Sequence, residues 1–149
     1  MLRFIRDNTF LDSPNKPEFF LYLILLNRPF ERNIFLDLYN KATIFICADG
    51  GTNRLFDSFT ESERYLSIWK PYLSITFHYR CKILPHIIIG DMDSIRPEVK
   101  EYYEEKGVKI FYNKDQDTTD LEKCVYYVFE NSESLTKYEK KDSPKNVLM

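Results

Sequence analysis

Three short segments of this chain place aspartates directly after an apolar run. The runs and the acidic segments that follow them are 44–48 with Asp49-Gly50-Gly51, 87–89 with Gly90-Asp91-Met92-Asp93-Ser94, and 108–112 with Asp115-Gln116-Asp117-Thr118-Thr119-Asp120. Short β-branched or apolar runs that end in such polar segments are typical of buried parallel strands. Because the carboxyl ends of parallel strands meet at one edge of an open sheet, where ligands bind, the carboxylates are predicted to converge there.

Five aspartates are the candidates for that one site. They are Asp49, Asp91, Asp93, Asp117 and Asp120. Two ionised carboxylates about 5 Å apart repel each other by roughly 3 kcal/mol at an effective dielectric constant near 20. A hard divalent cation relieves this repulsion, and Mg²⁺ is usually held by one or two carboxylates together with water and phosphate oxygens. The acidic segments therefore predict a magnesium site that also takes a nucleotide phosphate.

The first acidic segment also has features of a phosphate site. Gly50 and Gly51 allow a ligand to approach the backbone closely, and a helix predicted from Thr52 would present free N–H groups to an anion. Arg54 lies about one turn into that helix, where a guanidinium can bind a phosphate through two N–H groups. Taken singly, Asp-Gly-Gly is most often a turn, and the other two acidic segments are compatible with helix caps. Their joint occurrence at three strand ends favours the site.

The alternation of strand and helix patterns predicts an α/β fold, with three layers and a mainly parallel, Rossmann-like sheet flanked by helices. The predicted strands are 19–26, placed centrally in the sheet, 43–48, 87–89 and 108–112. The predicted helices are 30–41, one from about Thr52, one from Pro97 to Gly107, and one that begins at the capping box Thr119-Asp120-Leu121-Glu122. The predicted domain is 19–130 with a possible insertion at 65–82, and it lies between a lead-in at 1–18 and a polar tail at 131–149.

The composition argues against several classes of protein. Lys and Arg total 21 against 23 Asp and Glu, so the net charge of −2 gives no basic field for nucleic acid. Three cysteines without a paired motif indicate neither a disulfide framework nor a zinc site. The apolar run at 19–26 is too short to span a bilayer, which predicts no membrane association. We therefore expect a cytoplasmic protein.

Taken in order, these motifs resemble the N-terminal catalytic domain of thiamin pyrophosphokinase. The segments that carry the resemblance are Leu26-Asn27-Arg28-Pro29, Ala48-Asp49-Gly50-Gly51-Thr52-Asn53-Arg54-Leu55, Gly90-Asp91-Met92-Asp93-Ser94-Ile95-Arg96-Pro97-Glu98-Val99, and Asp115 to Asp120 with Lys123-Cys124. Each motif alone is weak, but three in the family's order and spacing are specific. The resemblance covers roughly residues 19–130.

The resemblance implies an activity and a set of partners. The family transfers the terminal pyrophosphate of ATP to the hydroxyl of thiamin, which gives thiamin diphosphate and AMP. It implies Mg²⁺ as cofactor, ATP and thiamin as ligands, and a homodimer as the full-length assembly. Family members also carry a Gly-Gly-x-x-Gly-Arg motif and a β-rich domain that helps form the thiamin pocket, neither of which these 149 residues contain.

The resemblance also implies roles for individual residues. Asp91 and Asp93 would bind Mg²⁺ with help from Asp117 and Asp120, and either Asp93 or Asp120 would assist deprotonation of the alcohol. The residues that would line the nucleotide and pyrophosphate path are Asp49, Gly50, Gly51, Asn53, Arg54, Ser94, Gln116 and Thr119.

Two alternatives stay open at this level. A truncated fragment would keep Mg²⁺-nucleotide binding without turnover. A different Mg²⁺-dependent phosphohydrolase built on paired aspartates would release inorganic phosphate instead of AMP.

Overall fold

The computed structural model describes residues 19–60, 65–67 and 80–135. In chain order the elements are β1 (Tyr22–Leu25), α1 (Arg32–Lys41), β2 (Ile44–Ala48), α2 (Gly51–Ser58), β3 (Tyr65–Ser67), β4 (Arg80–Lys82), β5 (Ile87–Gly90), α3 (Pro97–Glu105), β6 (Lys109–Tyr112) and α4 (Asp120–Leu135). The four strands predicted from the sequence are all present, and each is separated from the next by a helix. The predicted α/β fold is confirmed.

The main sheet has four parallel strands in the order β1-β2-β5-β6. Every residue of β2 and β5 is buried, as the continuous apolar runs predict for strands covered on both faces. The prediction that β1 is central is wrong for the described residues, because β1 lies at one edge of this sheet. The burial of β1 agrees with an edge position, since Leu25 is buried and the other three residues of the strand are half-buried.

The side chains of the sheet alternate between two separate apolar clusters, because successive residues of a strand point to opposite faces. On one face Phe45, Cys47 and Ile88 pack in a cluster that includes residues of α1, α2 and α3. On the other face Ile44, Ile46, Ala48, Ile87 and Ile89 pack against Cys124, Tyr127 and Val128 of α4. The domain therefore has three layers, with three helices on one face and α4 on the other.

The predicted glycine cap after α3 and the predicted capping box before α4 are both present. Gly107 has φ of +78° after α3, and the backbone N–H groups of Gly107 and Val108 donate to the carbonyls of Glu104 and Tyr103 at 2.9 and 3.0 Å. This is the Schellman arrangement that favours glycine. At the start of α4, the Thr119 N–H donates to the Glu122 carboxylate at 2.8 Å, and the Glu122 N–H donates to Thr119 Oγ1 at 3.3 Å. The predicted capping box is present.

The last helix extends into the segment 131–149, which was predicted as a polar tail. The helix α4 continues through 131 to Leu135, and Leu135 is 4% exposed. Residues 131–134 are polar and are half-buried or exposed in this helix, whereas its last residue is buried.

The strands β3 and β4 pair with each other in a separate antiparallel sheet, in which Tyr65 lies opposite Lys82. Both belong to the segment 65–82 that was predicted as a possible insertion, and residues 68–79 between them lie outside the described residues. No helix within the described part of the chain is both long and apolar enough to cross a membrane.

Candidate functional site

Three of the five candidate aspartates meet at the carboxyl edge of the main sheet. One carboxylate oxygen from each of Asp49, Asp91 and Asp93 lies within 4.8 Å of the others. Asp49 directly follows β2, whereas Asp91 and Asp93 follow β5, the neighbouring strand. We call these three residues the acidic group. Asp49 is buried, Asp91 is half-buried and Asp93 is exposed, so the group opens to solvent on the side of Asp93.

The carboxylate of Asp49 is held by the backbone of the loop after β5. Its two oxygens accept N–H groups from Ser94 at 3.2 Å and from Ile95 at 2.9 Å. A side chain on Gly90 would prevent this arrangement, because its Cβ would lie 2.6 Å from the Asp49 Cβ. Asp49, which the resemblance assigned to the nucleotide path, therefore ties the ends of β2 and β5 together.

The pKa of Asp49 is raised from 3.8 to about 6. Burial is the largest cause, since it disfavours the charged carboxylate, and the two backbone N–H groups oppose it only in part. Hydrogen bonding with Asp93 and the negative charge of Asp120 also raise the pKa. A nearby cation would relieve this unfavourable charge.

At Asp91 the effects that favour the charged carboxylate outweigh burial, and its pKa is lowered from 3.8 to about 2. The main cause is Lys123, whose Nζ donates to Asp91 Oδ2 at 2.9 Å. The Nε2 of Gln116 donates to the same oxygen at 2.9 Å, and the Asp93 N–H points to Asp91 Oδ1 at 3.4 Å. Asp91 is therefore ionised and oriented by its neighbours.

Lys123 is a functional candidate that the residue-level predictions missed. It is 3% exposed, and its Nζ lies 3.9 Å from Asp120 Oδ1 as well as close to Asp91. Burial lowers its pKa, but the hydrogen bond and charge of Asp91 and the charge of Asp120 outweigh burial, so its pKa is raised. A signal existed in the sequence, because Lys123 shares the inward face of α4 with Cys124, Tyr127 and Val128.

Asn53 and Arg54, in the helix that follows the Asp-Gly-Gly segment, also make contacts within the fold. The Nδ2 of Asn53 donates to the Ser94 carbonyl at 2.8 Å, and its Oδ1 accepts the Arg96 N–H at 3.1 Å. The Nε of Arg54, an exposed residue, donates to Asn27 Oδ1 at 3.0 Å. These contacts brace the loops after β1, β2 and β5 against one another.

An added Cβ at either glycine of that segment would meet a close neighbour, a side chain at Gly50 and the backbone at Gly51. A Cβ on Gly50 would lie 2.7 Å from Asn27 Nδ2, and a Cβ on Gly51 would collide with the carbonyl oxygen of Leu25. The start of α2 is thus packed directly against the end of β1.

The third acidic segment lies beside the acidic group rather than in it. Asp120 is half-buried, and its pKa is raised by burial and by the charges of Asp91 and Asp93, against the lowering effect of Lys123. Asp117 is exposed, and its N–H donates to Asp115 Oδ1 at 2.9 Å. Thr119 caps α4. The structure therefore brings Asp120 and Gln116 towards the acidic group and leaves the Asp117 side chain outside it.

The donor set of the acidic group fits a hard divalent cation. All three donors are carboxylate oxygens, the ligand type that Mg²⁺ prefers. Ser94 Oγ donates to Asp93 Oδ1 at 2.8 Å, which orients the most exposed carboxylate. An open groove of about 490 Å³ adjoins the group and is lined by Asp91, Met92, Lys100, Glu104, Ile110 and Tyr112. The fold and this edge define a class of protein, an α/β domain with carboxylates at the strand ends.

Comparison with known proteins narrows that class to one family. The family model described as "Thiamin pyrophosphokinase, catalytic domain" matches residues 35–148. The chain belongs to this family.

Relatives and a solved structure agree with the assignment. The chain is 45% identical over 96 residues to thiamine pyrophosphokinase 3 of Oryza sativa subsp. japonica, which covers 64% of this chain and 33% of the relative. It is 39% identical over 110 residues to thiamine pyrophosphokinase 1 of Arabidopsis thaliana, with 71% and 37% covered. The crystal structure of yeast thiamin pyrophosphokinase aligns with a TM-score of 0.64 at 28% identity, over 97% of this chain and 43% of that chain.

The chain spans about a third of the length of the two relatives named above. The match therefore concerns the catalytic domain of those proteins.

Proposed function

We propose that this chain provides the metal- and nucleotide-binding part of a thiamine diphosphokinase. The reaction is transfer of the terminal pyrophosphate of ATP to the hydroxyl of thiamine, with AMP as the second product. The observation that carries the proposal is the convergence of Asp49, Asp91 and Asp93 at the carboxyl edge of the sheet, in a chain that belongs to this family.

The acidic group and the start of α4 would hold Mg²⁺ through Asp91 and Asp93, assisted by Asp117 and Asp120. When bound, Mg²⁺ neutralises negative charge on phosphate oxygens in such reactions. The support for Asp91 and Asp93 is their close approach and hydrogen-bonded orientation. The roles of Asp117 and Asp120 rest on the family resemblance, and Asp120 has the additional support of its proximity to Lys123.

In the proposed step the hydroxyl oxygen of thiamine attacks the β-phosphorus of ATP. The bond from the β-phosphorus to the oxygen that bridges it to the α-phosphorus breaks, and AMP leaves with that oxygen. The hydroxyl proton passes to a carboxylate, either Asp93 or Asp120. Burial raises the pKa of Asp120, which suits it to accept a proton.

The nucleotide and pyrophosphate path would run along the loops after β2 and β5. The residues proposed to line it are Asp49, Gly50, Gly51, Asn53, Arg54, Ser94, Gln116 and Thr119. Asp49 and Asn53 would act by holding the backbone of Ser94 in place, because their side chains already bind that loop. Arg54 is exposed beside it and would contribute its remaining N–H groups to a phosphate.

The finer features of the family are part of the same proposal. They are a cytoplasmic location and assembly as a homodimer. Sedimentation of the purified chain with and without ATP, Mg²⁺ and thiamine would test whether a second copy is recruited when ligands bind.

The test of function is formation of AMP and thiamine diphosphate from ATP, Mg²⁺ and thiamine by the purified chain. Asp93→Asn removes one charge from the acidic group and should lower the rate by about a hundredfold or more, as loss of a group that stabilises transferred charge does. Glu130→Gln is the matched control, because it removes an exposed carboxylate in the second half of α4, away from the acidic group.

Each outcome distinguishes among the candidate functions. Formation of both products, lost in Asp93→Asn and kept in Glu130→Gln, supports the proposed reaction. Release of inorganic phosphate without AMP would identify a phosphohydrolase. Binding of Mg²⁺-ATP without either product would identify a nucleotide-binding domain that needs a separate thiamine site.

A further inference from the structure

Lys123 is a buried lysine surrounded by carboxylates. It is 3% exposed, and its Nζ lies 2.9 Å from Asp91 Oδ2 and 3.9 Å from Asp120 Oδ1. An ammonium group is costly to bury unless carboxylates pair with it. The placement of Lys123 therefore depends on its carboxylate partners and binds α4 to the end of β5.

The two oxygens of the Asp91 carboxylate have different partners. Lys123 and Gln116 both donate to Asp91 Oδ2, each at 2.9 Å. The other oxygen, Oδ1, is 3.4 Å from the Asp93 N–H, a long distance for a hydrogen bond. Oδ2 is thus occupied by donors, while Oδ1 keeps capacity for a further ligand.

The charge of Lys123 is expected to weaken binding of a free divalent cation and to strengthen binding of a cation that is bound to a nucleoside triphosphate. A free divalent cation that binds the acidic group is repelled by the nearby ammonium. A divalent cation that arrives with a nucleoside triphosphate also brings several negative oxygens, and these are attracted by the same ammonium. The sign of the effect therefore depends on whether phosphate accompanies the cation.

We propose that Lys123 is the resident counter-ion of the acidic group. It holds Asp91 in place while no divalent cation is bound, weakens binding of a free cation, and strengthens binding of a cation that arrives with a nucleoside triphosphate. The triphosphate part rests on the proposed function, whereas the free-cation part does not. Lys123 is thus a positioning residue that makes the site selective for the metal–nucleotide complex.

The experiment measures two affinities on the full chain. Binding of Mn²⁺ alone is followed by electron paramagnetic resonance, and binding of the Mg²⁺ complex of a non-hydrolysable ATP analogue is followed by calorimetry. Lys123→Met removes the charge and the donor, and Lys123→Gln removes the charge but keeps a donor for Asp91. The second variant retains a test if the first fails to fold.

Lys41→Met is the matched control. Lys41 is 5% exposed and its Nζ lies 2.7 Å from Asp37 Oδ2, so this variant also removes a buried lysine that has a carboxylate partner. Lys41 is the last residue of α1 and precedes β2, which places it at the amino edge of the sheet, away from the acidic group.

The expected result is a pair of opposite shifts in both Lys123 variants. Affinity for Mn²⁺ should rise by about tenfold, and affinity for the metal–nucleotide complex should fall by about tenfold, as expected when one unit charge is removed within a few ångströms. The Lys41→Met variant should match the wild type in both affinities.

Other results would overturn the inference. A fall in both affinities would show that Lys123 is only structural, and unchanged Mn²⁺ affinity would show that its charge does not act on the cation. Absence of Mn²⁺ binding by the wild type would also overturn it. If the wild type binds Mn²⁺ but not the nucleotide complex, the proposed function fails and the Mn²⁺ shifts alone decide the role of Lys123.

Discussion

Asp49 and Asp91 show how two carboxylates of one site are tuned in opposite directions. Burial raises the pKa of Asp49 to about 6, while the hydrogen bond from Lys123 lowers the pKa of Asp91 to about 2. The oxygens of these two residues lie within 4.8 Å of each other, so the difference comes from their immediate partners. Asp91 thus stays charged under conditions in which Asp49 takes up a proton.

The low pKa of Asp91 predicts a pH dependence of stability in the metal-free protein. Because the folded pKa of about 2 lies below the ordinary value of 3.8, ionised Asp91 stabilises the fold above pH 3.8. This contribution should be lost as the pH falls from 3.8 through 2. Carbon-13 NMR of the Asp91 carboxyl group should give its titration midpoint near 2 directly.

Variants of Lys123 and Lys41 test whether Lys123 is the cause of the low titration midpoint of Asp91. Lys123→Met should move the Asp91 midpoint upward, since the main cause of the lowered pKa is removed. Lys41→Met should leave it in place. An unchanged midpoint in Lys123→Met would mean that backbone and amide donors alone keep Asp91 ionised.

At the scale of elements, Gly51 fixes how closely α2 approaches β1. A Cβ at this position would collide with the backbone carbonyl of Leu25, which cannot move aside as a flexible side chain can. Gly51→Ala should therefore lower the free energy of unfolding by about 2 to 3 kcal/mol, as overpacking of a dense interior does. Urea unfolding of the purified variant measures this change.

Gly107→Ala is the comparison variant for Gly51→Ala. The Cβ at position 107 would meet open space, and the cost comes only from the backbone φ of +78°. We expect a loss of about 1 kcal/mol for this conformation. A smaller loss at Gly51 than at Gly107 would show that α2 can move away from β1.

Most of the elements could be predicted from the sequence because their signals are local. Apolar runs marked the buried strands, Gly107 marked the end of α3, and the Thr119–Glu122 pair marked the start of α4. The meeting of Asp49, Asp91 and Asp93 was also predictable, since parallel strands end at one edge.

The rest depends on tertiary contacts that no local pattern contains. The position of β1 in the sheet is set by strand order, and the burial of Leu135 is set by packing of α4. The sequence predicts that Asp49 belongs to a ligand site, but its oxygens accept backbone N–H groups from a loop 45 residues away. Asp117 is exposed in the segment before α4, where its backbone N–H donates to Asp115, and it is not one of the three carboxylates that meet.

At the scale of the whole molecule, we expect that the segment 65–82, which carries β3 and β4, can be removed. They pair with each other and not with the main sheet, and Tyr65 lies directly opposite Lys82. Opposed residues of an antiparallel pair have Cα atoms about 5 Å apart, so the two ends of the deleted segment lie close together. We expect the shortened chain to keep the four-stranded sheet and to unfold in one cooperative thermal transition.

Circular dichroism and differential scanning calorimetry would test this deletion. The deletion stops at Lys82 because Ile83 is 2% exposed in the main apolar cluster. Extending it to include Ile83 should abolish the cooperative transition, which makes that longer deletion the control. Loss of the transition in the shorter deletion would show that 65–82 supports the main sheet.

The helix α4 lies on the opposite face of the sheet from α1, α2 and α3, and this determines where a following strand would be added to the sheet. Connections between parallel strands are right-handed, and α1, α2 and α3 lie on one face while the chain moves from β1 towards β6. A helix on the opposite face reverses that direction. A strand that followed α4 in a chain with this fold would therefore lie beyond β1, which would then be an interior strand.

Such a reversal creates a crevice between the carboxyl ends of the two diverging strands, and open α/β sheets bind ligands in crevices of this kind. Here the crevice would open beside β1, where Asn27 accepts the hydrogen bond from Arg54. The acidic group would then form one wall of a longer ligand cleft, and Asn27 and Arg54 would lie near its middle.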